Sequence, residues 1–129
     1  MSTKQSSTLL RFAALSALVW LGSSSAQAED TTTNANRTAY DAAIKCFIAN
    51  SVAKGNSSDA GYAAQAATYE TKARESFDIA VTLGKTLGYS GGRINQDMGM
   101  AQGVELPKLV QDEAYFRQAV TTCQALGLM

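Results

Sequence analysis

Apolar residues recur at a helical spacing along most of the chain after residue 36, and no useful stretch alternates apolar and polar residues as a strand would. The clearest segments predict three long helices, over residues 36–54, 58–87 and 107–126. A short helix is predicted over residues 93–102. The fold class that follows is all-α, a small helical bundle.

Glycine and proline mark the predicted helix ends. Gly55 predicts the end of the first helix, and the serines after it can cap the second. Gly103 and Pro107 predict a break before the last helix, with Pro107 in its first turn. Residues 88–93, which include three glycines, predict a loop between the second helix and the short one.

The first helix carries two neighbouring apolar stripes. Its larger residues are Tyr40, Ile44, Phe47, Ile48 and Val52. Beside them runs a stripe of small residues: Ala39, Ala42, Ala43, Cys46, Ala49 and Ala53. Helix axes ordinarily pack about 8–10 Å apart, whereas a disulfide needs Cα atoms about 5.5 Å apart. Alanines around Cys46 would let another helix approach that closely.

The N-terminal residues have the three parts of a secretory signal peptide. Lys4 and Arg11 precede an uncharged apolar run over 12–22, and Ala26-Gln27-Ala28 fits a signal peptidase site. That run is shorter than the roughly 20 residues of a membrane span. We therefore expect cleavage of residues 1–28 and a single all-α domain over 29–129, with a flexible leader at 29–36. The expected location is the periplasm or outside the cell.

The cysteine pair and the charge balance narrow the picture further. Cys46 and Cys123 are the chain's only cysteines, and in an oxidising compartment they predict a disulfide between the first and last helices. After residue 28 the chain holds nine basic and eleven acidic residues. This balance argues against nucleic acid as a partner, and no second apolar run could span a membrane.

The residues of common catalytic and cofactor sites are missing. The chain has no histidine, which removes the commonest general base and the usual metal ligand. No phosphate loop, dinucleotide fingerprint or Cys/His metal spacing is present. We expect no catalytic residue, no cofactor and no metal, and hence a protein that is not an enzyme.

Three local features still allow a chemical hypothesis, each with a plainer alternative. Backbone N–H groups and Arg93 in the Gly88–Arg93 loop could hold an anion, although a glycine-rich turn explains the loop. Met98 and Met100 could bind Cu(I), although methionine is commonly core filler. Carboxylates such as Asp97, Glu105, Asp112 and Glu113 could serve a cell-wall hydrolase, although solvated helix faces explain them better.

Tyr89 and Tyr115 do not fall on the helical stripes, and with Arg93 they form the predicted contact surface. The function expected from these features is a non-enzymatic interaction module of the bacterial periplasm, of inhibitor or immunity type or an accessory subunit. Another periplasmic protein would be the partner, and the oligomeric state is open. A periplasmic acid-stress chaperone is the first alternative, because eleven carboxylates without histidine place any acid switch near pH ~4–5.

Overall fold

The computed structural model describes the backbone of residues 2–129 and the side chains of residues 31–129. Its helices are α1 (Ser2–Asp59), α2 (Ala63–Thr86), α3 (Gly91–Gln111) and α4 (Glu113–Ala125). No strand occurs in this part of the chain. The predicted all-α bundle, with its first and last helices joined by a disulfide, is confirmed.

The chain divides into two compact units, Met1–Ala35 and Asn36–Met129. The second unit contains the core. Residues 31–35, in the predicted leader, are exposed turns of α1. The predicted signal peptide over 1–28 lies outside the residues whose side chains are described, and it stays a prediction. Among the described residues, no helix has the length and apolar character needed to cross a membrane.

The part of α1 in the second unit is the central helix of the bundle. Its buried residues are Tyr40, Ala43, Ile44, Cys46, Ile48, Ala49, Asn50, Val52, Ala53 and Ser57. Because successive residues of a helix are rotated by about 100°, these positions cover most of its circumference. A helix that is apolar nearly all round has to be enclosed by others. α2, α3 and α4 supply that enclosure.

The disulfide Cys46–Cys123 joins α1 to α4 with its Cα atoms 5.6 Å apart. Both cysteines are buried, and so are Ala43, Ala49 and Ala119 beside them in sequence. Side chains this small allow the two helices to approach closely enough for the bond. The predicted pairing is therefore confirmed; of the predicted small-residue stripe, Ala43, Ala49 and Ala53 are buried, whereas Ala39 is exposed.

Several predicted helix boundaries are wrong, and the first helix begins before residue 36 while the second begins at Ala63 and not at residue 58. α1 continues through Gly55 to Asp59, so the serines expected to cap the second helix lie in the last turns of α1. The chain turns at Gly61, whose φ of +83° suits glycine, and Tyr62 precedes α2 without a side-chain cap. Here the N–H of Tyr62 donates to the carbonyl of Ser57 at 2.8 Å, which closes the end of α1.

The predicted break at Gly103 and Pro107 is also absent, because α3 runs through both residues. Pro107 has no N–H to donate to the carbonyl of Gly103, but Gly103 is exposed and water can reach that carbonyl. The chain breaks instead at Asp112, where φ is −117° and ψ is 101°. The side chain of Asp112 accepts a hydrogen bond from the N–H of Tyr115 at 3.1 Å and caps α4.

Two buried contacts fix the elements that surround α1. Gly84 of α2 lies so close to α3 that a Cβ atom there would be 2.7 Å from Cδ1 of Ile94 and 3.0 Å from the Tyr40 ring. At the end of the chain, Nδ2 of the buried Asn50 donates to the carbonyls of Cys46 and Leu128, each at 2.8 Å. The first contact fixes α2 against α3, and the second fixes the residues after α4.

Candidate functional site

A groove of about 580 Å3 lies between α1 and α3, and we call it the α1/α3 groove. Its lining residues come from α1, α3 and the turn before α3. They are Arg37, Tyr40, Asp41, Ala42, Ile44, Lys45, Tyr89, Arg93, Asp97, Met100, Ala101 and Glu105. The volume is within the range of about 300–1,000 Å3 that is usual for sites that bind ligands.

One wall of the groove is a connected set of aromatic and charged side chains. The buried Tyr40 donates its hydroxyl hydrogen to Oδ2 of Asp97 at 2.9 Å. Nε of Arg93 lies 3.6 Å from the same oxygen, and the guanidinium stacks 3.8 Å from the centre of the Tyr89 ring. The Tyr89 ring in turn meets Tyr40 edge to face, with 5.4 Å between centroids.

Burial, followed by the hydrogen bond to Asp97, raises the pKa of Tyr40 well above its usual range. The Tyr40 hydroxyl therefore stays protonated and remains a donor at neutral pH. This bond and the stack beside it hold Tyr89, Arg93 and Asp97 in place before anything binds. Such preorganised side chains lose little conformational entropy on binding.

Tyr115 of α4 lies outside the groove, beside the end that Lys45 and Glu105 line. Its hydroxyl donates to Oε2 of Glu105. Nζ of Lys45 lies 4.7 Å from the ring centre, and Nζ of Lys108 lies 5.7 Å from it. Each ammonium is thus placed for a cation–π interaction, so this end holds two cations around one aromatic ring.

The structure places two of the three predicted contact residues on this groove and the third beside it. Tyr89 and Arg93 line it, and Tyr115 contacts the lining residues Lys45 and Glu105. The sequence pattern predicts Tyr40 in the core and Asp97 on the solvated surface, and it does not indicate that the two residues pair. The spacing of Tyr89 and Arg93, four residues apart, was a usable signal for the stacked pair, whereas Tyr40 and Asp97 are 57 residues apart.

The alternative hypotheses for α3 meet obstacles in its geometry. α3 already begins at Gly91, and the hydroxyl of Ser90 accepts the N–H of Arg93 at 3.1 Å, so a side chain occupies part of the proposed anion site. Met98 is buried whereas Met100 is 64% exposed, so the two thioethers do not converge. Among the described residues, no group of three acidic or cysteine side chains could hold a metal ion.

The carboxylates of the groove do not form the usual glycosidase pair. Asp97 and Glu105 are eight residues apart on α3, which separates their backbones by about 12 Å along the helix. Carboxyl groups of inverting glycosidases are about 6.5–9.5 Å apart, and those of retaining enzymes are closer. Each of the two also accepts a hydrogen bond from a tyrosine hydroxyl. Asp112 and Glu113 lie at the start of α4, where Asp112 is a cap.

One strip on the solvent-facing side of α3 is apolar, and we call it the outer face of α3; the exposed polar residues Arg93, Gln96 and Gln111 lie beyond its two ends. It consists of Met100, Gly103, Val104, Pro107 and Val110, which lie opposite the buried Ile94, Met98 and Leu109 on the helix. Met100, Val104 and Val110 are 64%, 56% and 66% exposed. Exposed apolar patches on soluble domains commonly mark interaction sites.

A further groove, of about 340 Å3, lies between α1 and α2. Phe47 and Phe77 meet edge to face there with 5.5 Å between centroids. Its rim carries Lys54, Glu70 and Arg74, which are joined by ion pairs of 3.5 and 3.0 Å. These charges already satisfy one another, so this groove offers fewer free groups to a ligand.

Comparisons with known proteins bring no name to this site. No protein-family model, curated protein or solved structure matches the chain.

Proposed function

We propose that this protein is an exported, non-enzymatic interaction module of the bacterial periplasm, and that it binds another protein through the α1/α3 groove. The observation that carries the proposal is the Tyr89–Arg93 stack, held on the groove wall by Tyr40 and Asp97. Tyrosine and arginine are among the residues that most often dominate protein–protein binding energy. An inhibitor, an immunity-type protein or an accessory subunit would all use such a surface.

The charges of the groove favour an acidic group on the partner. Asp97 and Glu105 already accept hydrogen bonds from tyrosines, whereas Arg37 makes no ion pair among the described residues. Arg93 uses only Nε toward Asp97, so the two terminal nitrogens of its guanidinium can still donate. A carboxylate of the partner could bind this fork through two hydrogen bonds.

Export rests on the sequence of residues 1–28 and on the disulfide. An intramolecular disulfide is typical of oxidising compartments, which the periplasm provides. The bond also lowers the conformational entropy of the unfolded chain, which helps to stabilise a small domain whose core contains many alanines. Rigid scaffolds of this kind are well suited to present a fixed surface to a partner.

Site-specific photo-crosslinking in periplasm-containing cells would test the proposal. We expect a photoreactive residue at Asp41, which lines the groove from α1, to yield an adduct of one defined mass, and the same probe at Ile79 on α2 to yield none. Both side chains are exposed. Adducts of equal yield from both positions, or from neither, would contradict the proposed site.

Charge reversal then tests the chemistry of the partner. Arg93→Glu should weaken binding of the isolated partner at least about tenfold, as expected for a central arginine. Arg74→Glu on α2 is the matched control, because its side chain is 78% exposed and its ion pair lies away from the groove. If both substitutions weakened binding equally, a general charge effect would explain the result.

An acid-stress chaperone remains the alternative function. One observation counts against it, because such a chaperone would need acid to expose its apolar surface. The outer face of α3 already exposes apolar side chains in the folded bundle. A chaperone activated by acid should instead gain hydrophobic dye binding only near pH 3. Strong dye binding confined to low pH, with loss of near-ultraviolet circular dichroism, would favour the chaperone over the interaction module.

A further inference from the structure

We infer that a second copy of this chain binds to the outer face of α3, with the two α3 helices packed antiparallel across a twofold axis. This inference goes beyond the proposed function, because it needs no other protein and concerns the strip beside the groove, which shares Met100 and Asp97 with the groove lining. It rests on the apolar character of that face and on the positions of two charges beside it. Each is a feature of α3 alone.

The outer face of α3 has no charged residue at its centre. Met100, Val104 and Pro107 lie within about 60° of one another around the helix, and Val110 and Gly103 extend the strip on one side. No heavy atom outside the local helix lies within 4 Å of a Cβ atom built at Gly99 or Gly103, so another helix can approach the backbone there. A dimer through this strip would cover the largest exposed apolar side chains of α3.

Asp97 and Lys108 make the strip complementary to itself. They are 11 residues apart, which places them within about 20° of each other on the same flank of the helix. Their midpoint lies between residues 102 and 103, close to the midpoint of Met100 and Val104. An antiparallel twofold pair centred there brings Asp97 of each copy beside Lys108 of the other.

Both charges are available for this contact. Tyr40 and Arg93 contact only Oδ2 of Asp97, and Oδ1 makes no hydrogen bond within the described part of the chain. Lys108 has no carboxylate partner there and contacts only the Tyr115 ring. The Asp97 side chain is 30% exposed, so a lysine from outside can reach it. Two symmetric ion pairs would fix the register of the helices.

The twofold arrangement also determines where the α1/α3 grooves lie. Asp97 lies on the charged flank and also lines the groove, so the groove opens on that flank. A twofold axis perpendicular to both helices keeps the charged flanks of the two copies on the same side of the pair. The two grooves therefore open side by side, and the dimer could engage a partner at two points.

Sedimentation equilibrium of the purified protein, expressed with its full sequence, tests the inference directly. We expect a monomer–dimer equilibrium over micromolar to submillimolar concentrations, and Val104→Glu should raise the dimer dissociation constant at least about tenfold because it places a charge in the strip of each copy. Leu126→Glu is the matched control, since Leu126 is 53% exposed and lies outside α3. A protein that stays monomeric at every concentration overturns the inference, and so does an equal effect of the two substitutions.

A charge-exchange experiment tests the antiparallel register. Lys108→Glu and Asp97→Lys should each weaken the homodimer several-fold, because like charges then face each other twice. An equimolar mixture of the two variants should dimerise more tightly than either alone, since both opposite-charge pairs form again in the mixed dimer. If the mixture associates no better than its components, the antiparallel pairing is wrong. Circular dichroism confirms that each variant is folded before mixing.

Discussion

Helices α2 and α3 both pack against the central helix, and their solvent-facing sides differ in kind. Along α2 and the neighbouring turn of α1, Lys72 pairs with Glu75 at 3.2 Å, and Glu70 accepts from both Lys54 and Arg74. α3 instead turns Met100, Val104 and Val110 to solvent. Its charged residues Arg93 and Asp97 are drawn into the groove wall.

In a chain without catalytic motifs, this difference indicates α3, and not α2, as the helix that carries a binding surface. The outer side of α2 needs no partner to be stable in water. Its ion pairs form within the molecule, and few apolar side chains are exposed there. α3 keeps charged groups fixed against neighbouring tyrosines on one flank and apolar side chains on its outer face, which suits binding better than solvation. Four measurements would test this contrast between α2 and α3.

The largest effect is expected from removal of the disulfide. Replacing Cys46 and Cys123 together by alanine should lower the free energy of unfolding by about 3 kcal/mol, because the bond closes a loop with a sequence separation of 77 residues. Urea unfolding measures the loss. Hydrogen exchange should show that α4 and the adjoining α3 lose protection before α2 does. A loss below about 1 kcal/mol, or equal loss of protection in all helices, would contradict this picture.

Two glycine substitutions should have opposite signs. Gly84→Ala should lower the free energy of unfolding by about 1–2 kcal/mol, since the added Cβ atom would be 2.7 Å from Ile94 and this outweighs the helix propensity gained. Gly99→Ala on α3 meets no atom within 4 Å and should raise it by about 0.5–1 kcal/mol. Thermal unfolding at low protein concentration measures both. A stabilising Gly84→Ala would show that α2 and α3 are less tightly packed than described.

The contact between Tyr40 and Asp97 should make stability fall in alkali. The pKa of Tyr40 is raised in the folded protein, so its contribution is complete below the unfolded value near ~10 and is lost as the pH rises above it. The free energy of unfolding should then drop by up to about 1.4 kcal/mol per pH unit from this group. Urea unfolding between pH ~8 and ~11 should show a shallower fall for Tyr40→Phe than for the control Tyr62→Phe, whose ring is 63% exposed. Identical slopes for the two variants would show that Tyr40 does not contribute to the loss of stability in alkali.

The smallest effect is expected on the outer side of α2. Glu70→Gln breaks the ion pairs with Lys54 and Arg74 and should change the free energy of unfolding by no more than about 0.5 kcal/mol, because all three side chains are well exposed. Chemical unfolding at low and high salt measures the change, which should shrink further as salt screens the charges. A loss above about 1 kcal/mol would mean that these charges stabilise the bundle, and the contrast with α3 would weaken.

The fold was largely predictable because its main signals are local. Helical periodicity predicted the segments that became α1, α2 and α4, and the stripe around Cys46 anticipated the close approach that the disulfide requires. The extent of α3 was not predictable from the same rules, since Gly103 and Pro107 ordinarily end helices. They are tolerated where the freed carbonyl is exposed to water. Asp112 carried the true boundary signal, a side chain suited to an N-cap.

The candidate site was predictable only in part. Tyr89 and Arg93 stood out because they did not fit the core stripes, and the structure places them together. Tyr40 and Asp97 could not be joined from sequence, because their contact depends on how α3 lies across α1. Contacts between residues so far apart in the sequence depend on tertiary packing, and the local spacing of residues does not predict them.

The hydrogen bond from Asn50 to the carbonyl of Leu128 has a consequence for biosynthesis. The two residues are 78 positions apart, so the amide of this buried side chain lacks its second acceptor until almost the whole bundle has been synthesised. The turn at Gly127 then has to form before Leu128 can reach it. Completion of the core therefore has to wait for Leu128, and a chain interrupted before it would leave a polar group unsatisfied in an open core. Fragments that end before Leu128 should accordingly be more sensitive to protease than the chain that includes it.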